Sequence, residues 1–279
     1  MKNPMQLKAI MKNMAAKNHI SAQLVLQNYM MERLLERISL TPYRHNLILK
    51  GGFLISAIMG LCARATMDMD VTVKNMPLNG DSIREMFSVI CRVEPDDGIQ
   101  MEFRNVSEIR EGDEYTGYRV GLIARYGPMA VPLKMDITTG DMITPGEIEY
   151  AYMLMMEPRS IQVLAYNLET LLAEKLETIL SRGDQNTRPR DFYDVYALYR
   201  LRREQVDSAL LLKALRATAA RRGSLACLSR YARTLESVQE SRAMQQHWLG
   251  YQQGYEYARG VTFREVCGTI GTLLADLLE

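Results

Sequence analysis

Two aspartates one residue apart, Asp68 and Asp70, have the spacing and chemistry of a divalent-cation site. They alternate with the apolar Met69 and Val71, and this period of two places both carboxylates on one face of a strand. Adjacent carboxylates repel each other unless solvent, a basic group or a cation neutralises them, and oxygen-rich sites suit Mg²⁺ or Mn²⁺. Asp136, in a later strand-like run, would supply a third ligand. The alternatives are a solvated strand face or hairpin for the pair and a turn cap for Asp136.

A pair of glycines, Gly51 and Gly52, precedes the aspartates, with fifteen residues between Gly52 and Asp68. The segment that follows, FLISAIMGL, has the length and apolar character of a helix, so a phosphate could bind to the backbone amides at its start. Arg64 lies just before the aspartates, where it could neutralise them or hold a phosphate. The alternatives are an ordinary turn for the glycines and a structural salt bridge for Arg64.

The elements that must position these residues follow from apolar periodicity. Ser21 is predicted to cap a helix that ends at Thr41 and Pro42, and the chain after about residue 160 is predicted to form successive helices. Between them lie runs with strand-like alternation, at residues 69–73, 101–106, 117–125 and 131–138. This order indicates an α+β fold. We predict a helical segment at 1–45, an α+β domain at 46–158 and a helical C-terminal domain at 159–279.

Composition places the chain among ordinary globular proteins. It has 279 residues, of which 47% are hydrophobic and 24% are charged, with a net charge of +1. That charge excludes a wholly basic nucleic-acid coat. The first twenty residues are basic but lack the apolar core of a signal peptide, and no stretch approaches the roughly 18 apolar residues that span a bilayer. We therefore expect a cytoplasmic protein with no membrane partner. The spacing of the four cysteines does not match a metal site. These cysteines are Cys62, Cys91, Cys227 and Cys267.

A local excess of positive charge lies in the predicted helical region. Between Arg182 and Arg233, basic residues outnumber acidic ones twelve to five. Such a distribution suits contacts with RNA phosphates, and the alternative is a set of solvated helix faces.

The motifs taken together resemble a known family, the nucleotidyltransferase superfamily of DNA polymerase β type. Within it, the sequence is most similar to the AbiEii-type toxins of bacterial toxin–antitoxin and phage-abortive-infection systems. The similarity extends over residues 45–200 and is carried by LKGGFLI, RATMDMDV, DDGIQMEF, EYTGYRV, PLKMDITTGD and LAEKLETILSRGDQNTRPRDFYDVYAL. In EYTGYRV, we assign Tyr115, Gly117 and Arg119 to the core and to support of the sheet.

The resemblance implies a nucleotidyltransferase fold, with a mixed sheet, flanking helices and a helical C-terminal domain. It implies an NTP substrate, Mg²⁺ or Mn²⁺, nucleotide addition to tRNA 3′ ends and a separately encoded antitoxin. Gly51 and Gly52 match the phosphate-contacting turn, and Asp68, Asp70 and Asp136 match the metal ligands. In this mechanism two cations flank the α-phosphate, a 3′-hydroxyl attacks it in line and pyrophosphate leaves.

Lys175 and Asp191 match two later functional positions of the family. Lys175 lies on an apolar helical stripe and requires a partner, and the resemblance favours contact with the triphosphate over a lysine that reaches solvent at the edge of the stripe. Asp191 is a candidate general base or orienting carboxylate, with a helix N-cap as its alternative. Asp194, on the same helical face, is a weaker candidate that would otherwise pair with Arg190 or Lys175.

Two further functions compete with transfer to tRNA. The first is a nucleotidyltransferase that modifies a protein or a small molecule, which a cleft without a basic surface would favour. The second is a nucleotide-binding regulatory module without turnover, which metal-dependent NTP binding without release of pyrophosphate would indicate.

Overall fold

The computed structural model describes residues 3–109 and 117–279. Cα packing divides the chain into two compact units. The first consists of the described part of Met1–Gly140 together with Ile148–Ala165, and the second consists of Asp141–Glu147 together with Tyr166–Glu279. The domain limits expected from the sequence, at 45/46 and 158/159, stay a prediction. Tyr115 lies outside the described residues.

The first unit combines helices with a sheet. Its helices are α1 (Pro4–Asn18), α2 (Ala22–Ser39), α3 (Gly51–Met59) and α4 (Gly80–Ile90). Its strands are β1 (Leu47–Lys50), β2 (Met69–Val73), β3 (Gln100–Ile109), β4 (Gly117–Tyr126), β5 (Met129–Thr139), β6 (Ile148–Met153) and β7 (Ser160–Ala165).

Within the described residues the strands form one mixed sheet in the order β3-β4-β5-β2-β1-β7-β6. Strand β2 runs parallel to β5, and β1 runs parallel to β7, whereas the other neighbouring pairs are antiparallel. The predicted α+β class is therefore confirmed, with a mixed sheet and flanking helices. The four runs predicted as strands correspond to β2, β3, β4 and β5.

Alternation along β5 decides which side chains face the core. Val131, Leu133 and Met135 are buried, whereas Lys134 is exposed and Asp136 is half-buried. Burying an aliphatic side chain of this size contributes about 1.5–3 kcal/mol, which fixes the register because a slip of one residue would exchange the two faces. The same energy therefore holds Asp136 on the face away from this core.

The strand β7 corrects one expectation. The sequence predicts helices from about residue 160 onward, yet the chain is a strand from Ser160 to Ala165. Ile161 and Val163 are buried while Ser160 and Gln162 are exposed, which is the period of two that a strand requires. Parallel pairing with β1 stabilises this short segment as part of the sheet.

Helix α2 begins as predicted, because the Ser21 side chain accepts a hydrogen bond from the Leu24 amide. Two polar side chains on its buried face hold neighbouring backbone. Asn28 Nδ2 donates to the Thr66 carbonyl at 2.8 Å, and Gln27 Nε2 donates to the Pro132 carbonyl at 2.8 Å. The loop that leads to Asp68 is thus tied to the core of the unit.

The second unit is helical, as predicted for the C-terminal region. Its helices are α5 (Leu168–Arg182), α6 (Pro189–Arg202), α7 (Ser208–Arg221), α8 (Leu225–Leu228), α9 (Tyr231–Glu240), α10 (Arg242–Gly254) and α11 (Phe263–Leu278). Among the described residues, none of the helices has the length and hydropathy of a membrane span.

A short segment from between β5 and β6 packs with this helical unit. The Asn167 side chain caps α5 through the Thr170 amide and donates its Nδ2 to the Thr144 carbonyl at 2.7 Å. The Thr144 amide donates to Thr170 Oγ1 at 3.1 Å. The first turn of α5 therefore satisfies the buried backbone of Asp141–Glu147 at Thr144.

Candidate functional site

The first unit places two of the predicted carboxylates side by side. Asp70 on β2 and Asp136 on β5 are register partners in the parallel pairing of these strands. Opposed residues on neighbouring strands point to the same face, so both carboxylates lie on one face of the sheet. Asp68 precedes β2 by one residue and is exposed.

A basic residue flanks this pair on each side. Lys50 on β1 is the register partner of Asp70, and Arg119 on β4 is the register partner of Asp136. Four neighbouring strands thus carry the sequence of charges plus, minus, minus, plus, which we call the charged row. The row explains how the sheet tolerates two adjacent carboxylates, since each has an opposite charge on its outer side.

The ion pair at one end of the charged row is bidentate. Arg119 Nε donates to Asp136 Oδ1 at 2.8 Å, and Arg119 Nη2 donates to Asp136 Oδ2 at 2.7 Å. The hydrogen bonds and charge of Asp136, with smaller contributions from the charges of Asp68 and Asp70, raise the pKa of Arg119. The turn-cap alternative for Asp136 is wrong, because the residue lies inside β5 and binds Arg119.

Sequence reasoning missed this role of Arg119, which it assigned to support of the sheet. Alternation along β4 places Arg119 on the exposed side, opposite the buried Tyr118 and Val120. That signal shows that the residue is on the open face. Only the register with β5 shows which carboxylate it meets.

The glycine pair lies next to the carboxylates. Gly51 is the first residue of α3 and has φ +62°, a left-handed conformation that favours glycine. A Cβ at this position would collide with the carboxylate of Asp70. A Cβ at Gly52 would lie 2.9 Å from Arg64 Nη2 and 3.1 Å from Thr66 Oγ1. The pair therefore lets the start of a helix approach Asp70 closely, as a phosphate-binding turn requires.

Arg64 is buried, at 1% exposure. Its Nη1 donates to the Ala65 carbonyl, and its own carbonyl accepts a hydrogen bond from Ser56 Oγ on α3 at 2.7 Å. These contacts support the loop between α3 and β2. Its binding of a phosphate stays a prediction.

The second unit contains a different charged cluster, formed by Lys175 on α5 with Asp191 and Asp194 on α6. Lys175 Nζ lies 2.5 Å from Asp191 Oδ1 and 3.2 Å from Asp194 Oδ2. The side chains are 18%, 7% and 0% exposed in that order. The lysine on the apolar stripe thus has its partners in two carboxylates one turn apart.

The structure tests the alternative roles that the sequence allowed for Asp191 and Asp194. Asp191 is not an N-cap, because α6 begins at Pro189 with Arg188 as its N-cap residue. Asp194 pairs with Lys175, as one alternative expected. Asp191 Oδ2 is buried and has no hydrogen-bond partner among the described residues. The cluster therefore retains one buried acceptor atom without a donor among the described residues.

The donor set of the first unit fits a hard divalent cation. Asp68, Asp70 and Asp136 offer carboxylate oxygens alone, which Mg²⁺ and Mn²⁺ prefer, and Gly51 leaves one side of Asp70 without a side chain. Within the described residues, however, no three acidic, histidine or cysteine side chains converge in a metal-binding arrangement. Both oxygens of Asp136 bind Arg119. The three-carboxylate site thus stays a prediction, and Arg119 holds the carboxylate at one end of it.

Comparisons with known proteins identify a matching family and similar folds. The sequence matches the family described as "Nucleotidyl transferase AbiEii toxin, Type IV TA system" over residues 33–266, more than half of the chain. A crystal structure of a candidate nucleotidyltransferase from H. pylori is similar, with a TM-score of 0.51, 17% identity and coverage of 92% of this chain and 97% of that one.

A crystal structure of JHP933 from Helicobacter pylori is also similar, with a TM-score of 0.50 and 16% identity. The match covers 92% of this chain and 94% of that one, and at this identity the likeness shows a shared fold. No curated protein matches the sequence.

Proposed function

Because the chain belongs to the AbiEii nucleotidyl transferase toxin family, and is a nucleotidyltransferase, we propose that it transfers a nucleoside monophosphate from an NTP to the 3′ end of a tRNA. One observation carries the proposal of metal-dependent transfer. Asp70 and Asp136 are register partners on one face of the sheet, and a helix that begins with Gly51 approaches Asp70 so closely that no side chain fits. A carboxylate pair beside the N-terminus of a helix suits the phosphates of an NTP with its cation.

Each part of this site has a separate task in the proposal. The amides at the start of α3 bind the β- and γ-phosphates, because the first four N–H groups of a helix have no partner within it. Asp68, Asp70 and Asp136 would hold Mg²⁺ or Mn²⁺, which supplies positive charge to the phosphate oxygens when bound. Arg64 supports the turn and is the proposed further phosphate contact. The chain thereby orients the α-phosphate toward the incoming hydroxyl.

For the second unit, we propose that Lys175 contacts the triphosphate and that Asp191 acts as general base or orienting carboxylate. The support is chemical. Two carboxylates hold Lys175, and the Oδ2 atom of Asp191 has no hydrogen-bond donor among the described residues. Asp194 has no exposure and serves to position Lys175.

The second unit carries an excess of positive charge that favours an RNA acceptor. The twelve basic residues against five acidic ones between Arg182 and Arg233 support an RNA acceptor, because arginines bind phosphates in bidentate geometry. The family description names a toxin of a type IV toxin–antitoxin system, which supports an antitoxin partner. We propose that the partner is separately encoded and that the system acts in phage defence.

Incubation with each labelled NTP, Mg²⁺ and total tRNA tests the proposal. We expect label on tRNA with one preferred nucleotide, and no label with Asp68→Asn or after chelation of the metal. Asp81→Asn is the matched control, because the Asp81 side chain is 97% exposed on α4 of the same unit. Label on protein or on a small molecule would contradict a tRNA acceptor and identify the actual acceptor. NTP binding without release of pyrophosphate would contradict catalysis and indicate a nucleotide-binding module.

A further inference from the structure

The two basic residues at the ends of the charged row differ in their exposure to water. Lys50 is buried at 7% exposure, whereas the Arg119 side chain is 47% exposed. The Asp136 side chain, which Arg119 binds, is 21% exposed. An ion pair with this access to water contributes less net stability than a buried one, so the Arg119 end of the row costs less to open.

A cation that binds Asp136 must compete with Arg119. The guanidinium uses both carboxylate oxygens, at 2.8 and 2.7 Å, although each carboxylate has about four lone-pair positions in total. A divalent cation on the remaining positions would lie within a few ångströms of a fixed positive charge. The charge of Arg119 in its present position therefore disfavours coordination of a cation by Asp136 together with Asp70.

We propose that Arg119 is a positioning residue that occupies Asp136 in the cation-free protein and yields this carboxylate to the divalent cation. Before the cation binds, the bidentate pair holds Asp136 in place beside Asp70, so that the two carboxylates stay together. When the cation binds, it takes over the neutralising role, and Arg119 turns into solvent. This inference rests on the cation site of the proposed function and adds a residue that the sequence assigned to support of the sheet.

The inference predicts the sign of a change in metal affinity. Arg119→Gln removes the competing charge and keeps the polar character of the side chain, so Mn²⁺ should bind more tightly by about fivefold to tenfold at low salt. Arg119→Lys keeps the charge without the bidentate geometry and should give an intermediate affinity. Both effects should shrink at about 0.5 M salt, where the Debye length is only about 4 Å.

The measurement is a titration of the full-length protein with Mn²⁺, with free Mn²⁺ followed by electron paramagnetic resonance. Arg125→Gln is the matched control, since Arg125 lies on the same strand and face and pairs with Glu102, away from the aspartates. Asp70→Asn identifies the site. Thermal unfolding of each variant verifies that it is folded.

Three outcomes separate the two proposals. Tighter binding in Arg119→Gln, with Arg125→Gln unchanged, supports the inference. Unchanged or weaker binding in Arg119→Gln overturns it and leaves the proposed function standing. Wild-type Mn²⁺ binding that does not depend on Asp70 overturns the proposed cation site, and the inference with it.

Discussion

Each unit contains an ion-pair cluster of one basic side chain with aspartate, and the two clusters differ in their exposure to water. In the first unit, the ion pair of Arg119 and Asp136 has side chains that are 47% and 21% exposed. In the second unit, Lys175, Asp191 and Asp194 are 18%, 7% and 0% exposed. Water competes for the first pair, so its partners exchange at little cost, whereas a charge left alone in the second costs several kcal/mol. Exposure therefore separates a site that changes partners from one that holds a fixed geometry.

The largest effect should come from the charged row, and it should appear in activity rather than in stability. Asp70→Asn removes a charge from the proposed cation site and should lower nucleotidyl transfer by about 100-fold or more. The change removes the charge beside the buried Lys50 but also relieves the repulsion from Asp136, and the asparagine is nearly isosteric, so the free energy of unfolding should change by only about 1 kcal/mol. The labelled transfer assay and urea unfolding measure the two quantities. Activity close to wild type would refute the role of Asp70.

The cluster of Lys175, Asp191 and Asp194 should affect stability more than the Asp70 substitution does. Lys175→Met leaves Asp191 and Asp194 without their shared cation and should lower the free energy of unfolding by about 3 kcal/mol, measured in urea. Adding Asp191→Asn to that variant removes one of the stranded charges and should restore part of the loss. If the single variant were as stable as the wild type, the contrast between the two clusters would fail.

An intermediate effect is expected where the backbone meets the charged row. Gly51→Ala places a Cβ against the Asp70 carboxylate at a φ of +62° and should cost about 1–2 kcal/mol in backbone conformation alone, with a loss of transfer activity. Gly60→Ala is the control, because Gly60 has φ +89° and a Cβ there would meet nothing within 4 Å. Its cost should be conformational only, and its activity should match that of the wild type. Urea unfolding and the transfer assay compare the two variants.

The smallest effect should come from breaking the exposed ion pairs. Arg119→Met should change the free energy of unfolding by less than about 1 kcal/mol, Arg125→Met should have no larger effect, and both changes should decrease with added salt. Equilibrium unfolding at two ionic strengths measures both. A loss near that of Lys175→Met would show that the Arg119 pair is structural and does not exchange.

The positions of the carboxylates could be predicted from the sequence better than their partners. The alternation around Asp68 and Asp70 and the apolar pattern around Asp136 are local, and they identify strands β2 and β5 and the open face. The ion pair with Arg119 depends on the register of β4 against β5, which no local pattern contains. The roles of the three aspartates as ligands stay predictions.

The partners of Lys175 could be predicted only in part from the local sequence pattern. An apolar stripe with one lysine requires a partner for the charge, and the sequence indicates Asp194 among the alternatives. The contact with Asp191 at 2.5 Å depends on how α5 and α6 pack. The strand β7 was missed for a different reason, because its alternation is short and continues almost directly into the pattern of α5.

The path of the chain has a consequence for dissecting the protein. Asp141–Glu147 packs with the helical unit, although the strands before and after it belong to the sheet. A fragment that ends at Ala165 would retain this segment and lose Asn167 and Thr170, which bond the Thr144 backbone. Its polar groups would then need water in place of the first turn of α5. The two units are interleaved in sequence, so neither corresponds to a single continuous stretch that a gene fusion or a protease could exchange whole.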